Sequence, residues 1–227
     1  MNKKIVIAID GPAGAGKTTV AKELAKKMDI PYFSTGSMYR ALALKCIQLG
    51  LDATNEKDAN LIANNTTVGI KYENGKQYVL LDGENVTELL YTDQISAGAS
   101  QISVHKIIRE KMVEIQRHVA QNQSVIMDGR DIGSVVLPMA DFKFYLDADV
   151  KVRAKRRFDE LKSKGNNISF EEVLKDMKER DIRDKSREIS PLVICDDAIV
   201  IDSTNLSIDG VLNEFFKHIG EKKWCIG

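Results

Sequence analysis

Residues 11–18 read Gly11-Pro12-Ala13-Gly14-Ala15-Gly16-Lys17-Thr18, and Thr19 follows. A glycine, four residues, then Gly-Lys and a hydroxyl residue is the pattern of a phosphate-binding loop. Glycines let the backbone curl until several N–H groups converge on one anion. A helix starting at the loop presents its positive end to the same oxygens. Lys17 is placed to reach the β- and γ-oxygens of a bound nucleotide, and the Thr18 hydroxyl to ligate Mg²⁺. Residues 11–19 are therefore the candidate donor-binding segment. A second candidate is Asp128, which ends the apolar run Val125-Ile126-Met127. A carboxylate at the carboxyl end of a strand can lie beside such a loop and hold Mg²⁺, directly or through water. On its own this signal is weak, because many strands end in a turn-forming Asp.

These residues need a frame, and the hydrophobic pattern supplies one. Five short apolar runs recur, at Ile5–Ile9, Ile30–Phe33, Val125–Met127, Phe142–Leu146 and Ala198–Ile201. They are the runs expected of strands buried on both faces of a parallel sheet. Between them lie stripes at helical spacing: Val20, Leu24 and Met28; Ile108, Met112, Ile115 and Val119; Val211, Phe215 and Ile219. Alternating strands and helices predict a three-layer α/β fold. The segment Val68–Tyr72, Glu73-Asn74-Gly75, Gln77–Leu81, Asp82-Gly83 and Asn85–Thr87 breaks this rhythm. Its Asn-Gly and Asp-Gly pairs predict tight hairpin turns and a small antiparallel meander outside the main sheet. Residues 149–190 predict two helices joined near Gly165, with Ser169 and Glu172 forming a capping box. This pair carries Arg153, Arg156, Arg157, Arg180, Arg183 and Arg187.

Composition narrows the classes. The 33 basic and 33 acidic residues balance, so no global field favours a nucleic acid polymer or an anionic membrane. Cys46, Cys195 and Cys225 are odd in number, far apart and without a CxxC pair, which argues against a disulfide framework or a zinc site and for a reducing compartment. The apolar run after Met-Asn-Lys-Lys is too short for a signal sequence or a membrane span, so a cytoplasmic location is expected. With 227 residues, one sizeable core is expected, with room for a small insert. A guanine-reading Asn-Lys-x-Asp after a strand is missing, since Asn2-Lys3 precedes the first strand and lacks the Asp. An apolar strand ending in Asp-Glu, expected of many ATP-driven machines, is missing too. What remains is a compact chain rich in arginine beyond the loop. Phosphoryl transfer uses such cations, because its catalysis consists mostly of positioning and charge stabilisation. An arginine-rich helical pair also suits a lid that excludes water.

At this point the chain resembles the bacterial cytidylate kinase family over nearly its whole length. The resemblance rests on Ile9-Asp10-Gly11-Pro12-Ala13-Gly14-Ala15-Gly16-Lys17-Thr18, Ser34-Thr35-Gly36-Ser37-Met38-Tyr39-Arg40, Ser100-Gln101, Asp128-Gly129-Arg130-Asp131-Ile132-Gly133, Glu179-Arg180-Asp181-Ile182-Arg183-Asp184 and Asp202-Ser203-Thr204. It implies a P-loop kinase fold with a five-stranded parallel sheet, a small antiparallel β insert in the acceptor-binding region and a helical lid. The implied division is a core at 1–35, 98–150 and 191–227, an acceptor region at 36–97 and a lid at 151–190. The implied reaction moves the γ-phosphoryl group of ATP, with Mg²⁺, to CMP or dCMP. Arg40 and Arg130 are then expected to grip the acceptor phosphate, with the Thr35 hydroxyl nearby. Ser100, Arg109 and Asp131 are expected to read the cytidine. Arg180, Asp184 and Arg187 are expected to serve the sugar or the phosphates. With Lys17, the implied catalytic cations are Arg130, Arg180 and Arg187. The sequence leaves open which of Arg153, Arg156 and Arg157 faces the donor phosphates. Thr18-Thr19 stands where some relatives have Gly-Thr, so which hydroxyl meets the metal is open as well. A monomer is the default expectation. The competing readings are a kinase for AMP, UMP or a sugar acid, and a nucleotide-binding regulatory module.

Overall fold

The strand β1 (Val6–Asp10) lies at the centre of the molecule and runs straight into the glycine-rich loop, after which α1 (Lys17–Met28) begins. The computed structural model describes residues 4–73, 75–121 and 123–224, so Asn2, Lys3, Asn74 and Cys225 lie outside the described residues. In chain order there follow β2 (Tyr32–Ser34), α2 (Thr35–Leu49), α3 (Glu56–Asn65), β3 (Val68–Glu73), β4 (Lys76–Leu81), β5 (Glu84–Asn85), α4 (Asp93–Ile102), α5 (Lys106–Ala120), β6 (Val125–Gly129), β7 (Phe142–Asp147), α6 (Val150–Ser163), α7 (Phe170–Ser186), β8 (Ile199–Asp202) and α8 (Ile208–Trp224). A 3₁₀ turn covers Thr87–Leu90, and a π turn covers Ile132–Val136.

Five strands form one parallel sheet in the order β2-β6-β1-β7-β8. The side-chain period of two sorts the central strand. Ile7 and Ile9 pack with Val20 and Leu24 of α1 and Phe215 of α8, while Ala8 faces Val113 of α5 and Ile132. The expected three-layer α/β fold and its five-stranded parallel sheet are present. The three amphipathic stripes lie on α1, α5 and α8 as expected.

The meander folds as its own sheet, β3-β4-β5, packed on α2 beside the main sheet. Asp82 and Gly83 both take positive φ, 52° and 88°, which is what a two-residue hairpin turn requires. The third strand differs from expectation. It covers Glu84–Asn85, and Thr87 turns away so that its hydroxyl accepts the Val79 N–H at 2.9 Å. The helical pair is α6 and α7, with Gly165 at φ 81° between them. The Ser169–Glu172 capping box is complete in both directions. Among the described residues no helix is long and apolar enough to cross a membrane.

Candidate active site

Most of the candidate residues line one cleft of about 1680 Å³ at the carboxyl ends of the central strands. This is the edge of a doubly wound sheet where strand order reverses and ligands gather. The loop after β1 forms one wall. Gly11 sits at φ 147°, and a Cβ there would lie 2.0 Å from the Leu146 carbonyl oxygen, so β7 requires glycine at this point. Ala13, Gly14, Gly16, Lys17, Thr18 and Thr19 line the cleft, whereas Gly11, Pro12 and Ala15 are buried behind it. The Lys17 ammonium donates to the carbonyl oxygens of Gly11 and Pro12, both at 2.7 Å. Burial, reinforced by the nearby Arg130 guanidinium, pushes the Lys17 ammonium well below its ordinary pKa.

The Thr18 hydroxyl donates to Asp128 at 3.0 Å, and the Tyr32 hydroxyl donates to the other oxygen of the same carboxylate at 2.7 Å. Of the two threonines, Thr18 is therefore the one that meets Asp128. Burial and the Asp128 charge hold the Tyr32 phenol well above its ordinary range, so it stays a donor. Thr18 and Asp128 set two oxygen ligands side by side next to the loop. This is a fit for Mg²⁺, which takes one or two protein oxygens and completes its octahedron with water and phosphate.

Across the cleft the arginines form a linked net. Arg130, on the turn after β6, donates from Nε to Asp184 at 2.7 Å. Arg109 on α5 pairs with Asp131, donates to the Ser103 carbonyl at 3.1 Å and stands 5.6 Å from the Tyr39 ring centroid. Arg187 lies 3.7 Å from the other Asp131 oxygen and donates from Nε to the Ser190 carbonyl at 2.6 Å. Arg40 donates to the Leu90 carbonyl at 3.1 Å beneath the Tyr91 ring. The Thr35 hydroxyl donates to the Asp128 carbonyl at 2.8 Å, joining α2 to β6. Ser100 on α4 accepts from Arg183 at 2.8 Å. Thr35, Arg40, Ser100, Arg109, Arg130, Asp131, Arg180, Asp184 and Arg187 thus share one cavity.

The net carries more cation than its own carboxylates satisfy. Burial and then the Arg130 charge lower the Arg180 guanidinium to about 10. Burial opposes the charge of Arg130, but Asp184 more than compensates and holds it above its ordinary value. The Asp184 carboxyl is itself pushed up by burial and pulled down further by Arg130 and Arg180, so it lies below the usual range. Arg180 Nε, Arg187 Nη2 and Arg109 Nε are buried without a hydrogen-bond partner. Guanidinium groups crowded to this degree form a receptor for oxyanions.

The three arginines of α6 differ in their access to the cleft. Arg156 and Arg157 line the cleft, and Arg153 does not. Arg157 pairs with Asp93 and Glu160, while Arg156 is tied to Ser203. Arg153 is buried and bonded on several sides.

Asp10 is a site-building residue that sequence reasoning passed over. Its carboxylate accepts the Ile132 and Gly133 N–H groups at 2.8 and 2.7 Å and so fixes the turn bearing Arg130 and Asp131. Burial raises the Asp10 carboxyl to about 6 despite those two bonds. The signal available for it was the one used for Asp128, a carboxylate ending an apolar strand. Gln77 is a second such residue. It reaches from the insert to accept the Ser34 N–H at 2.7 Å and to donate to the Ser37 hydroxyl at 3.0 Å.

Comparison with known proteins agrees with this geometry. The family model described as cytidylate kinase matches residues 7–221. The chain is 48% identical to the cytidylate kinase of Caldicellulosiruptor saccharolyticus, covering 97% of this chain and 99% of that one. It is 46% identical to the cytidylate kinase of Clostridioides difficile, with 95% and 98% covered. It is 40% identical to cytidylate kinase 1 of Haemophilus influenzae, with 95% and 93% covered. A crystal structure of a protein from Eubacterium ventriosum superposes with a TM-score of 0.51 at 18% identity, covering 96% of this chain and 99% of that one, a likeness of fold alone. With its phosphate loop and arginine net in one cleft and these relatives along nearly its full length, the chain belongs to the cytidylate kinase family.

Proposed function

We propose that the cleft brings ATP and CMP or dCMP together and transfers the γ-phosphoryl group, giving ADP and CDP or dCDP. The observation that carries this reading is the placement of the phosphate loop and of Arg40, Arg130, Arg180 and Arg187 on facing walls of one cavity. A nucleoside monophosphate already bears an ionised oxygen at neutral pH, so its phosphate attacks without a general base. The protein has to align two polyanions and neutralise the charge between them. Residues 11–19 hold the donor phosphates, and Lys17 leaves the Gly11 and Pro12 carbonyls to meet them. Thr18 and Asp128 would hold Mg²⁺, which would offset charge on the phosphate oxygens. Arg40 and Arg130 grip the acceptor phosphate, with Thr35 beside them. Arg180 and Arg187 sit where they can accompany the transferring group, and Asp184 accepts from the sugar.

Asp131 and Ser100, with Arg109 behind them, read the base. Cytosine presents an amino donor where uracil presents an oxygen, so a carboxylate favours the former. The parts of the chain follow these roles: a core at 1–35, 98–150 and 191–227, an acceptor region at 36–97 and a lid at 151–190. The protein works as a monomer in the cytoplasm on small substrates, independent of nucleic acid polymers and membranes.

Initial rates with CMP and UMP, compared between the wild type and D131N, test the base assignment. The carboxamide can donate to a uracil oxygen. The ratio of kcat/KM for CMP over UMP should fall by at least tenfold. Equal losses for both acceptors would remove Asp131 from base recognition.

A further inference from the structure

The donor wall is shaped from behind. A trans peptide is planar, and its C=O and N–H point in opposite directions. Whatever grips a loop carbonyl therefore aims the next residue's N–H the other way. Two loop carbonyls are gripped by side chains that stand outside the cleft. Arg153 on α6 donates from Nη1 to the Ala13 carbonyl at 3.0 Å. Ser203, just past β8, donates from Oγ to the Ala15 carbonyl at 3.1 Å. The amides turned away from these two donors are those of Gly14 and Gly16, and both glycines line the cleft.

Both donors are themselves fixed. Arg153 is 4% exposed. It also donates to the Ala148 carbonyl at 2.8 Å and to both oxygens of Asp181, at 3.1 and 2.6 Å. Ser203 is 2% exposed. Its hydroxyl accepts from Arg156 at 3.2 Å, its carbonyl accepts from the same guanidinium at 2.7 Å, and its N–H donates to the Asp147 carbonyl at 2.8 Å. The contact is close enough to restrict the loop's own sequence. A Cβ on Gly14 would meet Met177 at 2.9 Å and the Arg153 Cβ at 3.2 Å. A buried ion pair such as Arg153–Asp181 is a weak source of stability, and here it locks a guanidinium that holds the loop.

We propose that Arg153 and Ser203 are positioning residues that aim the Gly14 and Gly16 amides at the donor phosphates. Neither touches the substrate. They fix in advance the donors that neutralise the β- and γ-oxygens, a preorganisation on which charge stabilisation depends. The proposal rests on the reading that the donor phosphates lie in the loop.

The test is a set of initial rates for S203A with ATP varied at saturating CMP, and then with CMP varied at saturating ATP. Competitive inhibition by inorganic tripolyphosphate and thermal unfolding accompany it. Loss of one orienting hydrogen bond should raise KM for ATP about fivefold. The tripolyphosphate inhibition constant should rise by the same factor, because that ligand carries phosphates alone. KM for CMP should stay within twofold. In R153K a single ammonium cannot serve the Ala13 and Ala148 carbonyls and Asp181 together, so the rise should be larger, about tenfold or more. If S203A does not fold, R153K is judged on the same readouts. The proposal is overturned if KM for ATP stays within twofold of wild type. It is overturned equally if both KM values rise together, or if the ATP effect appears without a tripolyphosphate effect. K17A separates the two levels. Normal turnover there would remove the donor from the loop altogether. An inactive K17A beside an unaffected S203A would reject only the positioning role.

Discussion

At the scale of single residues, the donor side concentrates its chemistry in adjacent positions. Lys17 is the one loop residue whose charge can follow the phosphates, and the structure shows its ammonium already at the loop, bonded to Gly11 and Pro12. Replacing Lys17 with Ala should lower kcat by two or more orders of magnitude while the unfolding temperature stays within a few degrees of wild type. Steady-state rates beside a thermal melt check both halves of that statement. The loop was legible in the sequence because nine consecutive residues carry it. The arginine net was not legible in the same way. Arg130 meets Asp184 across 54 positions, and Arg109 meets Asp131 across 22. No local spacing encodes such pairs, so the family resemblance had to supply the expectation. The structure then showed which groups meet. Asp10 showed only as a carboxylate ending an apolar strand, with no sign of the turn amides it accepts, and Gln77 meets Ser34 and Ser37 across 43 and 40 positions.

At the scale of elements, each strand of the parallel sheet was legible from a short apolar run, the meander from its Asn-Gly and Asp-Gly turns, and α1, α5 and α8 from amphipathic stripes. The helices α2, α3 and α4 were not. On α2 the buried residues include Ser37, Met38, Tyr39, Ala41, Leu42 and Ala43, so burial wraps most of the helix and leaves no polar face to mark it. Helix α4 does have a one-sided pattern, with Ile95, Ala99 and Ile102 buried, but two isoleucines among Ser, Ala and Gly are too few large apolar residues to mark it. Helix α7 was legible through its cap. Ser169 accepts the Glu172 N–H at 3.2 Å, and Glu172 accepts the Ser169 N–H at 2.8 Å. Ser169→Ala removes one half of this exchange at the start of α7, the helix that carries Arg180, Arg183 and Asp184. It should cost about 1 kcal/mol, measured by urea unfolding, with the slope of the transition unchanged. A loss below a few tenths of a kcal/mol would mean that packing of α7 on α6 through Leu161, Val173 and Met177 sets the helix start without the cap.

At the scale of the whole molecule, alternating elements announced a parallel sheet, but strand order had to come from the structure. That order puts β1 between β6 and β7, so that Asp10, Asp128 and the phosphate loop share one edge. The arrangement buries carboxylates and leaves a signature in the pH dependence of folding. Asp10 titrates near 6 in the folded protein and at 3.8 in the absence of structure. A raised carboxyl pKa favours the folded state while the group is neutral, and that advantage is lost as pH rises from about 4 through 6. Once the group is ionised in both states the loss is of order 3 kcal/mol. Asp184, lowered by Arg130 and Arg180, has the opposite sign: its contribution is present above 3.8 and fades in acid. The Asp10→Asn variant cannot ionise. Its stability relative to wild type should therefore climb between pH 4 and pH 7, and paired urea titrations across that range would show the trend. A flat difference would mean that Asp10 is ionised throughout.

As a whole, the cleft is built to move a phosphoryl group from ATP to a cytidine monophosphate. The most direct measurement is a coupled ADP-release assay with ATP and Mg²⁺ and, in separate runs, CMP, dCMP, UMP, AMP and GMP. Turnover should be fast with CMP and dCMP and far slower with the other three. Faster turnover with a different monophosphate, or none with any of the five, would contradict this reading.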